Sequence, residues 1–123
     1  IRSQVTARLL GTRSIFTERE NGKMTLRRGF RVEPGEKVLI VEDIVTTGGS
    51  IREVVDVGNE AKGEIVGIGL FVDRSGGKAD YGVPADKVFP LVRLTVPAYR
   101  PEECPLCKKG VPITERGSHH LKK

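Results

Sequence analysis

Along the first two thirds of the chain, apolar residues occur either at helical spacing or in short continuous runs. Val5, Leu9 and Leu10 recur at helical spacing and Gly11 follows them, which predicts the last turns of a helix. The run at residues 14–16 is short and apolar, so it predicts a strand. We therefore expect the chain to open with a helix followed by a strand.

The next two segments differ sharply in polarity. Residues 17–31 are crowded with charge around Asn21-Gly22, and they predict a mobile loop or hairpin. Pro34 begins a turn signal, after which residues 38–41 form a continuous apolar and largely β-branched run. Because such runs are typical of strands buried on both faces, we expect this strand at the centre of a sheet.

A helix is predicted from Ser50 onward, with Ser50 as the candidate N-cap and Gly63 as the glycine after its end. Its apolar positions follow helical spacing: Ile51, Val54, Val55 and Ala61. The runs at residues 65–72 and 88–96 predict two more strands. A strand, a helix and a strand in succession form a βαβ unit, in which the two strands pair in parallel. The expected fold class is therefore α/β, with a parallel sheet flanked by helices.

Composition narrows the classes of function. The 123 residues suit one compact domain, and no apolar run reaches the roughly 20 residues of a membrane-spanning helix, so we expect a soluble protein without a membrane partner. The net charge of +5 suggests an anionic partner, but much of the excess lies near the end of the chain: Lys108, Lys109, Arg116, Lys122 and Lys123. With no Trp, two Tyr and four Phe, the chain has few aromatic platforms for stacking bases, so we do not expect nucleic acid as a partner.

The last part of the chain, residues 99–123, predicts an irregular tail after a core domain at residues 1–98, because it lacks sustained periodicity. Cys104 and Cys107 are the only cysteines, which argues against a disulfide scaffold and favours a reducing, cytoplasmic setting. Their spacing suits metal ligands, but a structural zinc needs four. Two alternatives stay open: a zinc site completed by the histidine pair at 119–120 or by a second tail, and a reduced, packed turn.

The most informative segment, residues 38–50, joins the predicted strand to the helix that follows. Thr46, Thr47 and Ser50 offer hydroxyl donors. The glycine pair at 48–49 lets backbone N–H groups approach a ligand closely at the helix N-terminus, where the helix dipole favours an anion. We expect a phosphate monoester in this loop.

Glu42 and Asp43 precede this loop, and two carboxylates beside a phosphate indicate a further ligand group, because like charges repel. Carboxylates accept hydrogen bonds from vicinal hydroxyls and can lie near a magnesium ion, so a ribose 5-phosphate would satisfy both halves of the segment. The Walker and dinucleotide-binding patterns fit worse, since the chain lacks the Gly-Lys-Ser/Thr ending and the Gly-x-Gly-x-x-Gly spacing here. The alternative without a ligand is a solvated strand end followed by a capped turn.

Residues 38–50 resemble the phosphoribosyl pyrophosphate (PRPP) motif of the type I phosphoribosyltransferases: a hydrophobic run, two acids and then Thr-Thr-Gly-Gly-Ser. Four other segments resemble bacterial orotate phosphoribosyltransferases: residues 16–24, 26–30, 71–77 and 103–108. The resemblance runs over most of the chain, residues 14–117. It implies a type I phosphoribosyltransferase fold and the magnesium-dependent transfer of the phosphoribosyl group from PRPP to orotate, giving orotidine 5′-monophosphate and pyrophosphate in pyrimidine synthesis.

The resemblance also implies roles for individual residues. The expected ribose-phosphate-binding residues are Glu42, Asp43, Ile44, Val45, Thr46, Thr47, Gly48, Gly49 and Ser50. Thr46 and Arg74 would contact orotate, and a guanidinium just past a strand end suits a bidentate grip on a carboxylate. Residues 17–31 match the family's flexible loop, which closes over the active site, commonly that of the neighbouring subunit, with Lys23 stabilising the departing pyrophosphate. The expected catalytic residues are Lys23, Asp43 and Arg19.

Two parts of the family's pattern are not visible: an N-terminal hood that contacts the base, and a pyrophosphate-binding loop ahead of the first helix. We therefore expect an incomplete core that associates with itself, in the family's usual homodimer. Two other functions stay open. A non-catalytic PRPP-binding regulator would share the fold and the loop, and a phosphoribosyltransferase for another nucleobase would share the chemistry. Lys23 and Arg74 favour the orotate enzyme.

Overall fold

The computed structural model describes residues 2–97, 99–100 and 102–111, which form a parallel sheet, a hairpin and flanking helices. In chain order the elements are α1 (Arg2–Leu10), β1 (Thr17–Glu20), β2 (Lys23–Leu26), β3 (Lys37–Val45), α2 (Gly49–Glu60), β4 (Glu64–Asp73), a 3₁₀ turn (Ala85–Lys87), β5 (Val88–Arg93) and α3 (Pro105–Lys108). None of the helices within these residues has both the length and the apolar character needed to cross a membrane.

The parallel sheet has the strand order β3-β4-β5, with α2 as the connection from β3 to β4. The predicted α/β class and the βαβ unit are therefore confirmed. Ile51 and Val55 of α2 pack in one cluster with Ile68 and Leu70 of β4, and all four side chains are at most 2% exposed. Burying a side chain of this kind contributes about 1.5–3 kcal/mol. This core fixes the point at which β3 ends and α2 begins.

The strand predicted at residues 38–41 is part of β3, but the prediction that it is central is wrong within the described sheet, because β4 lies in the middle. Ile40 is buried, whereas Leu39 is 41% exposed. An apolar run shows which strand faces can be buried, while strand order depends on tertiary pairing. The other outer strand of the described sheet, β5, contains Pro90, which has no N–H to donate and is tolerated at a sheet edge.

Both ends of α2 differ from the prediction. Ser50 lies inside the helix, and the N-cap is Gly48. After the helix, Lys62 takes the left-handed conformation with a φ of 59°, and Gly63 does not. A Cβ at Gly63 would lie 2.7 Å from Cγ1 of Val32, so this glycine is needed for packing rather than for the turn.

β1 and β2 form an antiparallel hairpin inside residues 17–31, as predicted. Glu20 pairs with Lys23, so the loop consists of Asn21 and Gly22. Their φ values of 49° and 82° belong to the two-residue turn that matches the twist of a hairpin.

The strand predicted at residues 14–16 is wrong: in the part of the chain that the structure describes, these residues pair with no strand. Phe16 instead packs edge-on against Phe30, with 5.0 Å between the ring centroids. The apolar run therefore closes the base of the hairpin rather than joining a sheet.

The predicted helix end at Gly11 is confirmed, since this residue follows α1 with a φ of 64° and the N–H of Thr12 donates to the carbonyl of Ala7 at 2.9 Å. The described part of the tail contains α3. The division of the chain at residue 98 stays a prediction, and residues 112–123 lie outside the described residues.

We expect Ile68→Val to lower the free energy of unfolding by about 1 kcal/mol, because it leaves a methyl-sized cavity at a position that is 0% exposed. The same substitution at Ile44, which is 53% exposed, is the control and should cost clearly less. Urea unfolding followed by circular dichroism measures both. Equal losses at the two positions would contradict the core described above.

Candidate active site

The site begins where β3 passes into α2. Gly48, the N-cap of α2, has no side chain with which to cap the helix. The first helical hydrogen bond runs from the N–H of Arg52 to the carbonyl of Gly48 at 2.9 Å, so the N–H groups of residues 49–51 precede the hydrogen-bonded turns. These groups and the helix dipole together favour an anion at this position.

Two independent constraints require glycine at position 48. Its φ of 85° is left-handed, which disfavours any residue with a Cβ. A Cβ there would also lie 3.2 Å from Cβ of Ala79, 3.2 Å from the carbonyl oxygen of Asp80 and 3.3 Å from Cδ1 of Tyr81. The loop is therefore packed tightly against the segment that follows β4.

Near the end of β3, the carboxylates of Glu42 and Asp43 each accept a hydrogen bond from the backbone N–H of the next residue. Oε1 of Glu42 accepts from the N–H of Asp43 at 2.8 Å, and Oδ1 of Asp43 accepts from the N–H of Ile44 at 2.8 Å. Oδ2 of Asp43 also forms an ion pair with Arg2 of α1. Both acids are half-buried, which fixes the carboxylates at the mouth of the loop while leaving part of each open to a ligand.

The predicted ribose-phosphate residues lie together. An open cavity of about 180 Å³ is lined by Glu42, Asp43, Ile44, Val45, Thr46, Thr47, Gly48, Gly49, Ser50 and Ile51. The residues that line this cavity include three with hydroxyl groups, Thr46, Thr47 and Ser50, and two with carboxylates, Glu42 and Asp43. The cavity can therefore hold a phosphate and a pair of hydroxyl groups on one small molecule.

A second cavity, of about 410 Å³, adjoins the first. It is lined by Thr46, Thr47, Arg74, Ser75, Lys78, Ala79, Val96 and Pro97. Thr46 and Arg74, which were predicted to contact the same base, thus line one cavity. Thr46 and Thr47 belong to both cavities, so ligands in the two would be neighbours.

Arg74 follows Asp73, the last residue of β4, and the residues on either side of Arg74 are hydrogen-bonded to each other. Its N–H donates to the carbonyl of Val45 at 2.8 Å, which ties β4 to the end of β3. Oδ1 of Asp73 accepts from the N–H of Ser75 at 2.8 Å and from its Oγ at 2.6 Å. Sequence reasoning missed Asp73 and Ser75 as site residues, although an Asp-x-Ser sequence before two glycines is a turn signal.

The charge of Asp73 is compensated locally. Burial would raise the pKa of its carboxyl, but the two hydrogen bonds from Ser75 and the guanidinium of Arg93 outweigh burial, so this pKa lies below its usual value. Nε of Arg93 lies 3.4 Å from Oδ2 of Asp73. Asp73 is therefore an acceptor for the turn and not a proton donor at neutral pH.

Lys23 and Arg19 lie elsewhere, against the outer side of α2. Arg19 forms an ion pair with Glu53 at 3.0 Å, and Oε2 of Glu53 accepts from the N–H of Met24 at 3.2 Å. Hydrogen bonding to Arg19 lowers the pKa of Glu53. Lys23 lines a separate cavity with Met24, Glu53 and Asp56, and neither cation lines the cavities at Thr46 and Thr47. Their catalytic roles stay predictions.

The two cysteines, Cys104 and Cys107, are half-buried and free. Across residues 2–97, 99–100 and 102–111 the structure contains no group of three or more His, Cys, Asp or Glu side chains placed to hold a metal ion. The histidine pair at 119–120, which was predicted as a possible completion of a zinc site, lies outside the described residues. Zinc binding by the cysteines stays a prediction.

Comparison with known proteins gives consistent matches. The phosphoribosyl transferase domain model matches residues 5–95. The chain is 55% identical over 122 residues to the orotate phosphoribosyltransferase of Thermotoga maritima, covering 99% of this chain and 64% of that protein. It is 53% identical over 119 residues to the orotate phosphoribosyltransferase of Desulforamulus reducens, covering 97% of this chain and 61% of that protein. The chain thus spans less than two thirds of the length of these curated relatives.

A solved structure supports the fold. The crystal structure of adenine phosphoribosyltransferase from Rhodothermus marinus superimposes with a TM-score of 0.53 at 21% sequence identity, covering 74% of this chain and 61% of that chain. At this identity the similarity concerns the fold alone.

We expect Gly48→Ala to destabilise the chain more than Gly35→Ala. Both positions have positive φ, 85° and 76°, and an alanine in this region costs about 1–2 kcal/mol. Only the Cβ at position 48 meets other atoms within 4 Å, whereas position 35 is open. Urea unfolding measures the difference between the two variants. Equal destabilisation would show that the contacts with residues 79–81 do not constrain the loop.

Proposed function

Because this chain belongs to the phosphoribosyl transferase domain family, we propose that it carries the ribose-phosphate-binding and base-binding part of an orotate phosphoribosyltransferase. The reaction transfers the 5-phosphoribosyl group from PRPP to orotate and yields orotidine 5′-monophosphate and pyrophosphate, a step of pyrimidine synthesis. The observation that carries the proposal is that two cavities meet at Thr46 and Thr47. A ribose phosphate in one and a base in the other would lie side by side, as a bond between them requires.

The loop supplies the donors for the 5-phosphate. The N–H groups of residues 49–51 come from the start of α2, and Thr46, Thr47 and Ser50 add hydroxyl groups. These donors and the helix dipole would stabilise a phosphate dianion. The absence of a capping side chain at Gly48 leaves the first-turn N–H groups to the ligand.

In this proposal the two acids, Glu42 and Asp43, bind the ribose. The carboxylates of Glu42 and Asp43 accept hydrogen bonds from vicinal hydroxyls, and they stabilise positive charge that develops on the sugar ring as pyrophosphate departs. They also fit magnesium, because Mg²⁺ prefers oxygen ligands and is commonly held by one or two carboxylates together with substrate phosphates. When bound, the ion would offset the negative charge of the pyrophosphate group.

In this proposal Arg74 binds the base. Arg74 and Thr46 line the same cavity, and a guanidinium can bind a carboxylate there in a bidentate manner. Orotate differs from the other pyrimidine bases by such a carboxylate, and the names of the 53–55% identical relatives agree with an acidic base.

A second copy of the chain supplies the hairpin in this proposal. Lys23 and Arg19 lie along the outer side of α2, away from the cavities of their own chain. In a homodimer the hairpin of one subunit can close over the loop of the other, exclude water and place Lys23 near the pyrophosphate. The free thiols of Cys104 and Cys107 suit a reducing, cytoplasmic setting.

We expect isothermal calorimetry with Mg²⁺ to detect PRPP binding, and we expect Asp43→Asn to weaken it by about tenfold, because a charged acceptor for the ribose hydroxyls is lost. Asp86→Asn in the 3₁₀ turn, outside the cavity lining, is the matched control and should bind as the unchanged chain does.

Orotate-dependent release of pyrophosphate in the same sample separates the alternatives. Binding with turnover supports the transferase. Binding without turnover supports a PRPP-binding regulator or a part that needs further sequence, and turnover with another nucleobase identifies a different transferase. No PRPP binding to the unchanged chain would overturn the proposal.

We expect Lys23→Ala to lower kcat by about 10²-fold while PRPP affinity changes little, because the lysine acts on charge that develops in the transition state. Arg27→Ala is the control on the same hairpin segment; its ion pair with Glu20 is exposed, so kcat should be nearly unchanged. Steady-state kinetics measures both. A rise in KM for PRPP with unchanged kcat in Lys23→Ala would contradict the assigned role.

A further inference from the structure

Two polar residues are buried on either side of the segment that lines the second cavity at Ser75, Lys78 and Ala79. Asp73 is 1% exposed and Tyr81 is 5% exposed. Within the described residues, Oδ2 of Asp73 and the hydroxyl of Tyr81 are buried and make no hydrogen bond. Burying such groups costs free energy unless they are compensated. The guanidinium of Arg93, 3.4 Å from Oδ2, compensates the carboxylate, whereas the hydroxyl of Tyr81 has no hydrogen-bond partner within these residues.

Asp73 and Ser75 organise the turn that follows β4. Ser75 Oγ donates to Asp73 at 2.6 Å and accepts from the N–H groups of Gly77 at 3.1 Å, Lys78 at 3.0 Å and Ala79 at 3.1 Å. One serine hydroxyl thus collects three backbone donors, and the carboxylate of Asp73 fixes that hydroxyl. Arg74 lies between the two tethered side chains at the start of this turn.

The other end of the same segment supports the phosphate loop. Ala79, Asp80 and Tyr81 form the surface on which Gly48 lies, with the tyrosine ring 3.3 Å from where a Cβ would stand. Asp80 forms an ion pair with Arg52 in the first turns of α2 at 2.9 Å. Residues 75–81 therefore touch the base cavity at one end and the ribose-phosphate loop at the other.

The electrostatic environment of Tyr81 keeps this residue neutral. Burial and then the charge of Asp73 raise the pKa of Tyr81 above its ordinary value. The neutral ring packs against Gly48. Its hydroxyl makes no hydrogen bond within the described residues.

We propose that Ser75 and Tyr81 are positioning residues at the two ends of the turn at 75–81: Ser75 holds Arg74 for the base, and Tyr81 holds the Gly48 loop for the ribose phosphate. The proposal rests on the proposed function for its ligands, but the positions themselves do not depend on it. Removing the Ser75 hydroxyl would disturb the base site alone, and removing the Tyr81 ring would disturb the ribose-phosphate site alone. A general loss of stability would weaken binding at both sites.

Two variants test this split. Tyr81→Leu removes the ring wall and should weaken PRPP binding in Mg²⁺ by about tenfold or more, because small misplacements of binding groups are costly, with KM for orotate little changed. Ser75→Ala releases the turn and should raise KM for orotate by a similar factor while PRPP affinity stays within about twofold. Tyr81→Phe keeps the ring and should restore PRPP affinity, because the missing hydroxyl makes no hydrogen bond.

Matched controls come from the same residue types. Tyr99→Leu changes the other tyrosine of the chain, which is 53% exposed, and Ser14→Ala changes a serine that lines neither cavity; both should leave both affinities unchanged. Equal loss of PRPP and orotate binding in Tyr81→Leu and Ser75→Ala, or no loss in either, would overturn the proposal.

Amide hydrogen exchange tests the positions without any ligand. In Ser75→Ala the amides of Gly77, Lys78 and Ala79, which donate to the lost hydroxyl, should exchange faster. In Tyr81→Leu the amide of Arg52, which donates to the carbonyl of Gly48, should exchange faster, with the other set unchanged in each variant. Unchanged exchange in both variants would overturn the positioning role even if PRPP binds. If PRPP does not bind to the unchanged chain, the proposed function fails, and the exchange pattern still decides the positioning role.

Discussion

The left-handed backbone at Gly48 is the constraint on which the rest of the site depends. It lets the chain pass from the end of β3 into α2 without a capping side chain, so no cap side chain occupies the first N–H groups of the helix. It also lets residues 79–81 approach the loop closely. A residue with a Cβ would disturb the turn and the packing at once.

The parallel sheet explains why so many polar groups converge at one edge. β3 and β4 end side by side, since Val45 pairs with Asp73, and the N–H of Arg74 donates to the carbonyl of Val45. In such sheets the loops after neighbouring strands form a common crevice at the carboxyl ends. The acids come from one strand end and the arginine from the next, and neither strand end alone would form both cavities.

Much of this could be predicted from sequence, because the signals are local. The apolar run of β3, the loop at residues 46–49 and the start of α2 are contiguous, and the nine predicted ribose-phosphate residues do line one cavity.

The features that the sequence did not predict depend on tertiary contacts. Strand order placed β3 at the side, and packing made Gly48 the N-cap in place of Ser50. Nothing in the sequence around Tyr81 indicates that its ring lies against Gly48. The location of Lys23 depends on where the hairpin rests, which composition does not encode.

The two cavities differ in how the chain builds them, and this bears on redesign. The cavity proposed for the ribose phosphate is lined by one continuous segment, residues 42–51. The cavity proposed for the base is lined, apart from Thr46 and Thr47, by two separate stretches, residues 74–79 and 96–97. Substitutions in these two stretches leave the sequence of residues 42–51 unchanged. Under the proposed function, base preference can therefore change by substitution at Lys78 and at residues 96–97, while Ser75 and residues 79–81, which support Arg74 and Gly48, are kept.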